Sequence, residues 1–101
     1  MKVKKVSLKE AFLILDGRMA TNMEDICEIL NFIFSKNYTT IAIPAATWDK
    51  LIEINPPWIQ KGKDFINDIK KEHETDNFWE LMEIIDKEYP SYKIEIEKIK
   101  N

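Results

Sequence analysis

The sequence predicts a mainly helical α+β domain, with four to five helices and a small sheet of two or three short strands. Three observations point there. Residues 21–34 and 78–89 space large apolar side chains at i, i+3, i+4 and i+7, the period of a helix with one buried side. Tyr92, Ile94 and Ile96 alternate with Lys93, Glu95 and Glu97, the period of a strand with one face on a core. The 101 residues, 45% of them apolar, suit one compact domain spanning 1–101. Burying each large apolar side chain contributes roughly 1.5–3 kcal/mol, so such a chain can fold without a metal or a disulfide.

The elements follow in order. In residues 2–6, Val3 and Val6 alternate weakly with lysines and read as a short edge strand, where lysine discourages stray pairing. Ser7 with Glu10 has the spacing of a capping box, and Leu8, Ala11, Phe12 and Leu15 line one side of the helix behind it. Gly17 ends that helix, since glycine takes the left-handed conformation without steric cost. Thr21 with Glu24 repeats the start signal for a helix reaching Phe34, with Met23, Ile26, Ile29, Leu30 and Ile33 inward. Cys27 beside that stripe reads as a small core residue. Ser35-Lys36-Asn37 is a turn, and β-branched and aromatic residues predict a strand over 38–43. Pro44 closes it and opens a helix over 45–54 that buries Trp48, Leu51 and Ile52. Asn55-Pro56-Pro57 breaks that helix with a stiff joint. Ile59, Phe65, Ile66 and Ile69 predict another helix over 58–74, with Gly62 as its weak point. Thr75 or Asp76 caps the last helix, whose apolar face is Phe78, Trp79, Leu81, Met82 and Ile85, and Pro90 stops it. The strand over 91–97 follows.

Composition excludes several classes. A single cysteine rules out an internal disulfide and fits a reducing cytoplasm. No run approaches the roughly 18 apolar residues of a membrane span. The Lys9-Glu10 pair interrupts what would be the apolar core of a signal peptide. One His and one Cys in different elements predict no metal site, and no EF-hand spacing appears. The only glycines, Gly17 and Gly62, leave no phosphate loop, and no nucleophile elbow is present. The pairs Glu80/Glu83 and Glu24/Glu28 fall on exposed helix faces, and His73 sits in a charged helix end as a solvated or capping residue. The sequence therefore predicts a non-enzymatic protein without a cofactor. Net charge is −3, with the excess of cations confined to residues 1–20, so no strongly basic face marks a duplex-DNA binder.

One residue stands apart. Of fifteen Lys and Arg residues only Arg18 is arginine. Its planar fork of donors is something lysine cannot reproduce. Set in Asp16-Gly17-Arg18 between two helices, it reads either as a local salt bridge to Asp16 or as a bidentate grip on an external carboxylate or phosphate, which the N-terminus of the following helix would also favour. Trp58, presented by Pro56-Pro57 and followed by Lys61, either closes the core over the joint or anchors a partner. Tyr38 joins Asp16, Arg18, Trp58 and Lys61 as a candidate contact. Trp48 and Trp79 sit at core spacing.

The segment Asp16-Gly17-Arg18, Met23-Glu24-Asp25, Glu28-Ile29-Leu30-Asn31-Phe32, Asn37 with Thr39, and Pro44-Ala45 resembles a family of short phage and prophage proteins of unknown function. The resemblance covers residues 6–46 well and 78–99 loosely. Where the family carries Gly-Asp before Asn, this chain has Ser35-Lys36. The resemblance implies a viral origin, a location in the host cytoplasm and no known chemistry. On that basis the expected function is counter-defence. The protein would dock on a host defence effector or sequester its nucleotide signal. A nucleic-acid-associated accessory protein using Lys2, Lys4, Lys5 and Arg18 is the alternative, as is a self-assembling module, a homo-oligomer of this chain.

Overall fold

The computed structural model describes residues 3–39 and 43–99. Along the chain run β1 (Val3–Ser7), α1 (Phe12–Asp16), α2 (Met23–Phe34), α3 (Ala45–Ile54), α4 (Pro57–Glu72), α5 (Phe78–Glu88) and β2 (Lys93–Glu97). The architecture is α+β and mainly helical. β1 and β2 form a two-stranded antiparallel sheet with Val3 opposite Glu97, Lys5 opposite Glu95 and Ser7 opposite Lys93. The first and last described elements thus pair with each other, and the helices lie between them in sequence.

The strand alternation holds to the residue. Ile94 and Ile96 are buried, while Lys93, Glu95 and Glu97 are exposed. In α2 the predicted stripe is buried at Ile26, Ile29, Leu30, Ile33 and Phe34, with Cys27 beside it. Phe12, Leu30, Ile33, Ile69, Leu81 and Ile96 share one core with them. α1 packs on α4, and α4 on β2. The backbone N–H of Ile99 donates to the carbonyl of Ile33 at 2.9 Å, satisfying one of the orphan acceptors at the end of α2.

Several boundaries move for physical reasons. The Ser7 and Glu10 box forms reciprocally, Glu10 N–H to Ser7 Oγ at 3.1 Å and Ser7 N–H to Glu10 Oε1 at 2.9 Å. It holds a turn, however, and α1 begins only at Phe12. Asn22 rather than Thr21 caps α2, its Oδ1 accepting from Asp25 N–H at 3.1 Å. Asn77 rather than Thr75 or Asp76 caps α5, accepting from Glu80 N–H at 3.0 Å. In each case adjacent residues have equal capping chemistry, and the helix starts one or two positions later.

The expected third strand is not formed at the described residues Tyr38, Thr39 and Ile43. Residues 40–42 of that expectation lie outside the described residues. The side chain of Asn31 takes the place of a neighbouring strand. Its Oδ1 accepts from Tyr38 N–H at 2.6 Å, and its Nδ2 donates to the Tyr38 carbonyl at 3.1 Å.

Two residues assigned to the core are on the surface. Ile52 is 73% exposed and Trp79 is 74% exposed. Trp79 shares its stripe of α5 with Glu83 and Asp86, four and seven residues on, and both are exposed. Trp48 is half-buried.

Gly62 is no weak point. It is buried where α4 crosses α1, and a Cβ there would stand 2.6 Å from one methyl of Leu15 and 2.7 Å from the other. The close approach of the two helices requires the missing side chain.

Candidate functional site

The structure distributes the five candidate residues among three places. Asp16 and Arg18 belong to a cluster of four charges. Gly17, at φ 89°, ends α1 in the left-handed conformation and turns the chain so that Arg18 folds back on Asp16. Arg18 Nε donates to Asp16 Oδ2 at 2.6 Å, and Nη2 reaches Asp16 Oδ1 at 3.3 Å. The fork continues across the molecule. Nη1 donates to the backbone carbonyl of Asp76 at 2.8 Å, and Nη2 to Asp76 Oδ1 at 3.0 Å. Lys70, in the last turn of α4, bridges the same two carboxylates at 2.8 and 3.0 Å.

Asp76 is delivered to this cluster by the end of α4. His73 is the C-cap, Glu74 N–H donates to the Lys71 carbonyl at 3.3 Å, and Thr75 N–H to the Lys70 carbonyl at 3.0 Å. This is a Schellman turn with Glu74, at φ 51°, where glycine is usual. It swings the chain so that Asp76 faces Arg18. His73 Nε2 stands 3.2 Å from Glu88 Oε2 at the end of α5 without a hydrogen bond between them.

The side chain of Asp16 is almost wholly buried, at 6% exposure. Burial pushes its carboxyl up, but the hydrogen bonds from Arg18 and Lys70 outweigh this and hold it below the ordinary carboxylate value. The hydrogen bond from Lys70 likewise lowers Asp76, and bonding to Asp16 raises both Arg18 and Lys70. Of the two readings of Arg18, the local salt bridge to Asp16 is the one formed, and it engages both oxygens of that carboxylate. All three guanidinium nitrogens have acceptors. The neighbouring start of α2 carries Glu24 and Asp25 in its first turn, which disfavours a second anion there.

Trp58 is buried at 7% exposure, in the core beside α1 and β2, rather than presented as an anchor. Its indole N–H has no acceptor. Trp58 and the exposed Lys61 line a cavity of about 330 Å³ between the start of α4 and β2. Tyr38 lines another, of about 360 Å³, with Phe34, Lys36, Thr47 and Lys50.

No protein-family model, curated protein sequence or solved structure matches the chain.

Besides Lys70 and Asp76, the sequence reading misses Trp79, which it assigns to the core. Its ring meets Phe78 edge-on at 5.2 Å between centroids, and Phe78 meets the buried Phe12 the same way at 6.0 Å. The guanidinium carbon of Arg18 lies 5.8 Å from the Phe78 centroid. Met19, next to Arg18, is 41% exposed. An indole thus stands in solvent on a platform fixed by the core on one side and by the charge cluster on the other. No described helix is long and apolar enough to cross a membrane. Among the described residues no group of three or more His, Cys, Asp or Glu side chains is placed to hold a metal ion.

Proposed function

We propose that this protein acts by binding, docking on a partner protein through the surface that Trp79 presents. The observation that carries the reading is the exposure of Trp79 on a fixed platform. Tryptophan and arginine are the residues most enriched among those that dominate binding energy, and a pre-positioned ring loses little conformational freedom on docking. Arg18 in this reading is a positioning residue. It holds Asp76, and with it the start of α5, so that Phe78 and Trp79 stand in one place.

The proposed partner is a bacterial defence effector, which the docked protein would occlude without chemistry. The resemblance of residues 6–46 to short phage proteins supports this class. Affinity capture from a bacterial host lysate at low and high salt tests it. A specific protein retained at both salt levels and lost with Trp79→Ala supports protein docking. Recovery of nucleic acid alone, lost as salt rises, would favour the accessory-protein reading, because phosphate contacts weaken steeply with salt.

A second reading, capture of a nucleotide signal, draws on the Tyr38 cavity. Its volume falls in the range of small-molecule sites, two aromatic rings and two lysines line it, and none of the described lining residues is acidic. A thermal-shift series with linear and cyclic nucleotides decides it. Stabilisation that Lys50→Ala abolishes supports nucleotide capture, and no shift with any of them removes it.

A further inference from the structure

The cavity beside Trp58 has a wall whose geometry is informative. Lys93, Ile94, Glu95 and Glu97 all line it. Ile94 points to the core, and the three charged residues point the other way. Residues on opposite faces of a strand can line one groove only where the groove runs along the strand's edge. One edge of β2 is taken by β1. The groove therefore follows the other edge. Among the described residues no backbone hydrogen bond reaches β2 from any element besides β1, so the N–H and C=O groups of that edge lack protein partners.

The facing wall makes no hydrogen bond to them among the described residues. It begins with Pro56 and Pro57, which have no N–H to donate, followed by the first turns of α4 with Trp58 and Lys61. The result is a slot with an unpaired strand edge on one side and a helix start on the other, whose two prolines add no backbone donor. An extended backbone in this slot would complete the hydrogen bonds of β2, as in strand addition.

We propose that this slot is a docking site for one extended peptide segment of a partner protein, basic where it passes Glu95 and Glu97 and acidic where it passes Lys93. The charge order follows from cross-strand pairing, in which directly opposite residues lie on one face and opposite charges attract. On the other edge β1 places Lys5 opposite Glu95 and Val6 opposite Ile94 in this way, while Lys4 faces Ile96 and Val3 faces Glu97. A second copy of the folded chain fits poorly. Its own β2 edge is walled by its own α4, so pairing two such edges would drive the two helix starts together. The site is separate from the Trp79 surface, since neither Trp79 nor Phe78 lines it.

The test uses the full chain and two capped synthetic peptides, Lys-Val-Lys-Val-Glu and Glu-Val-Glu-Val-Glu, followed by backbone amide NMR. The expected result is that the first peptide, at up to millimolar concentration, shifts and protects amides of β2 and shifts those of the first turn of α4. The acidic peptide should leave them unmoved. Glu97→Lys, opposite the uncharged Val3 and so neutral to the native sheet, should weaken the first peptide roughly three- to ten-fold with an unchanged Tm. The proposal is overturned if neither peptide perturbs β2, if both do so equally, or if Glu97→Lys leaves the affinity unchanged. It is also overturned if sedimentation shows that β2 is protected by self-association without peptide.

Discussion

Arg18 Nε lies 2.6 Å from Asp16 Oδ2, and the same guanidinium reaches 58 residues along the chain to both the carbonyl and the carboxylate of Asp76. The one arginine of the protein thereby joins the end of α1 to the start of α5. Lysine, with a single nitrogen, cannot hold both oxygens of Asp16 together with the carbonyl and carboxylate of Asp76 as the three-nitrogen fork beside Phe78 does. Arg18→Lys should lower unfolding free energy by about 1 kcal/mol, an amount limited by the solvent that reaches this side chain. Asp16→Asn should cost more, about 2 kcal/mol, because it leaves two cations facing a buried amide. Urea denaturation of the two variants measures both.

Acid should weaken the fold through the same residues. The carboxyls of Asp16 and Asp76 titrate lower in the folded protein than in the unfolded chain, where the value is about 3.9. Their contribution is present in full above that value. It is lost as pH falls below about 4 and through the depressed folded-state values, since the unfolded chain then binds protons first. Lys70 is shifted up, so its contribution persists until pH rises past the ordinary lysine value of about 10.4 and through the raised folded-state value. Stability measured against pH should therefore fall more steeply below about pH 4 for the wild type than for Asp16→Asn.

Gly62 and Leu15 should show strong coupling. Gly62→Ala places a methyl within 2.7 Å of Leu15 in a packed interface, an overpacking that costs about 1–3 kcal/mol. In a Leu15→Ala background the clash is gone, and alanine's better helix propensity should make the same change stabilising by about 0.5–1 kcal/mol. A double-mutant cycle by denaturation reads the reversal of sign.

Glu74→Gly should stabilise. Glu74 holds φ 51° in the Schellman turn, where a side chain costs about 1 kcal/mol relative to glycine. A rise in unfolding free energy of about 0.5–1 kcal/mol is expected, measured by the same denaturation.

Local relationships were the legible ones. The period of α2, the alternation of β2, the capping box at Ser7 and the Gly17 turn each depend on residues within a few positions of one another, and each was readable. The Asp16–Arg18 contact, two residues apart, was also in view as one of two uses of the arginine. Lys70 and Asp76 were not, because their approach depends on how α4 packs on α1, which no short-range pattern encodes. Tyr38 was misread because β-propensity describes a side chain's fit to a sheet, and Asn31 supplied the hydrogen bonds that a strand would have offered. The exposure of Trp79 was discoverable. Its stripe continues through Glu83 and Asp86, and charge at those positions marks a solvent face even under a tryptophan.

The surface at Trp79 is the core of the functional reading, and one measurement addresses it directly. The partner recovered by affinity capture is titrated with wild type and with Trp79→Ala, alongside a thermal melt of each. Because the ring is 74% exposed, the melt should change by no more than about 0.5 kcal/mol in stability. The dissociation constant should rise about 30-fold or more, corresponding to the roughly 2 kcal/mol of a dominant contact. An unchanged dissociation constant with an unchanged melt would contradict docking through Trp79.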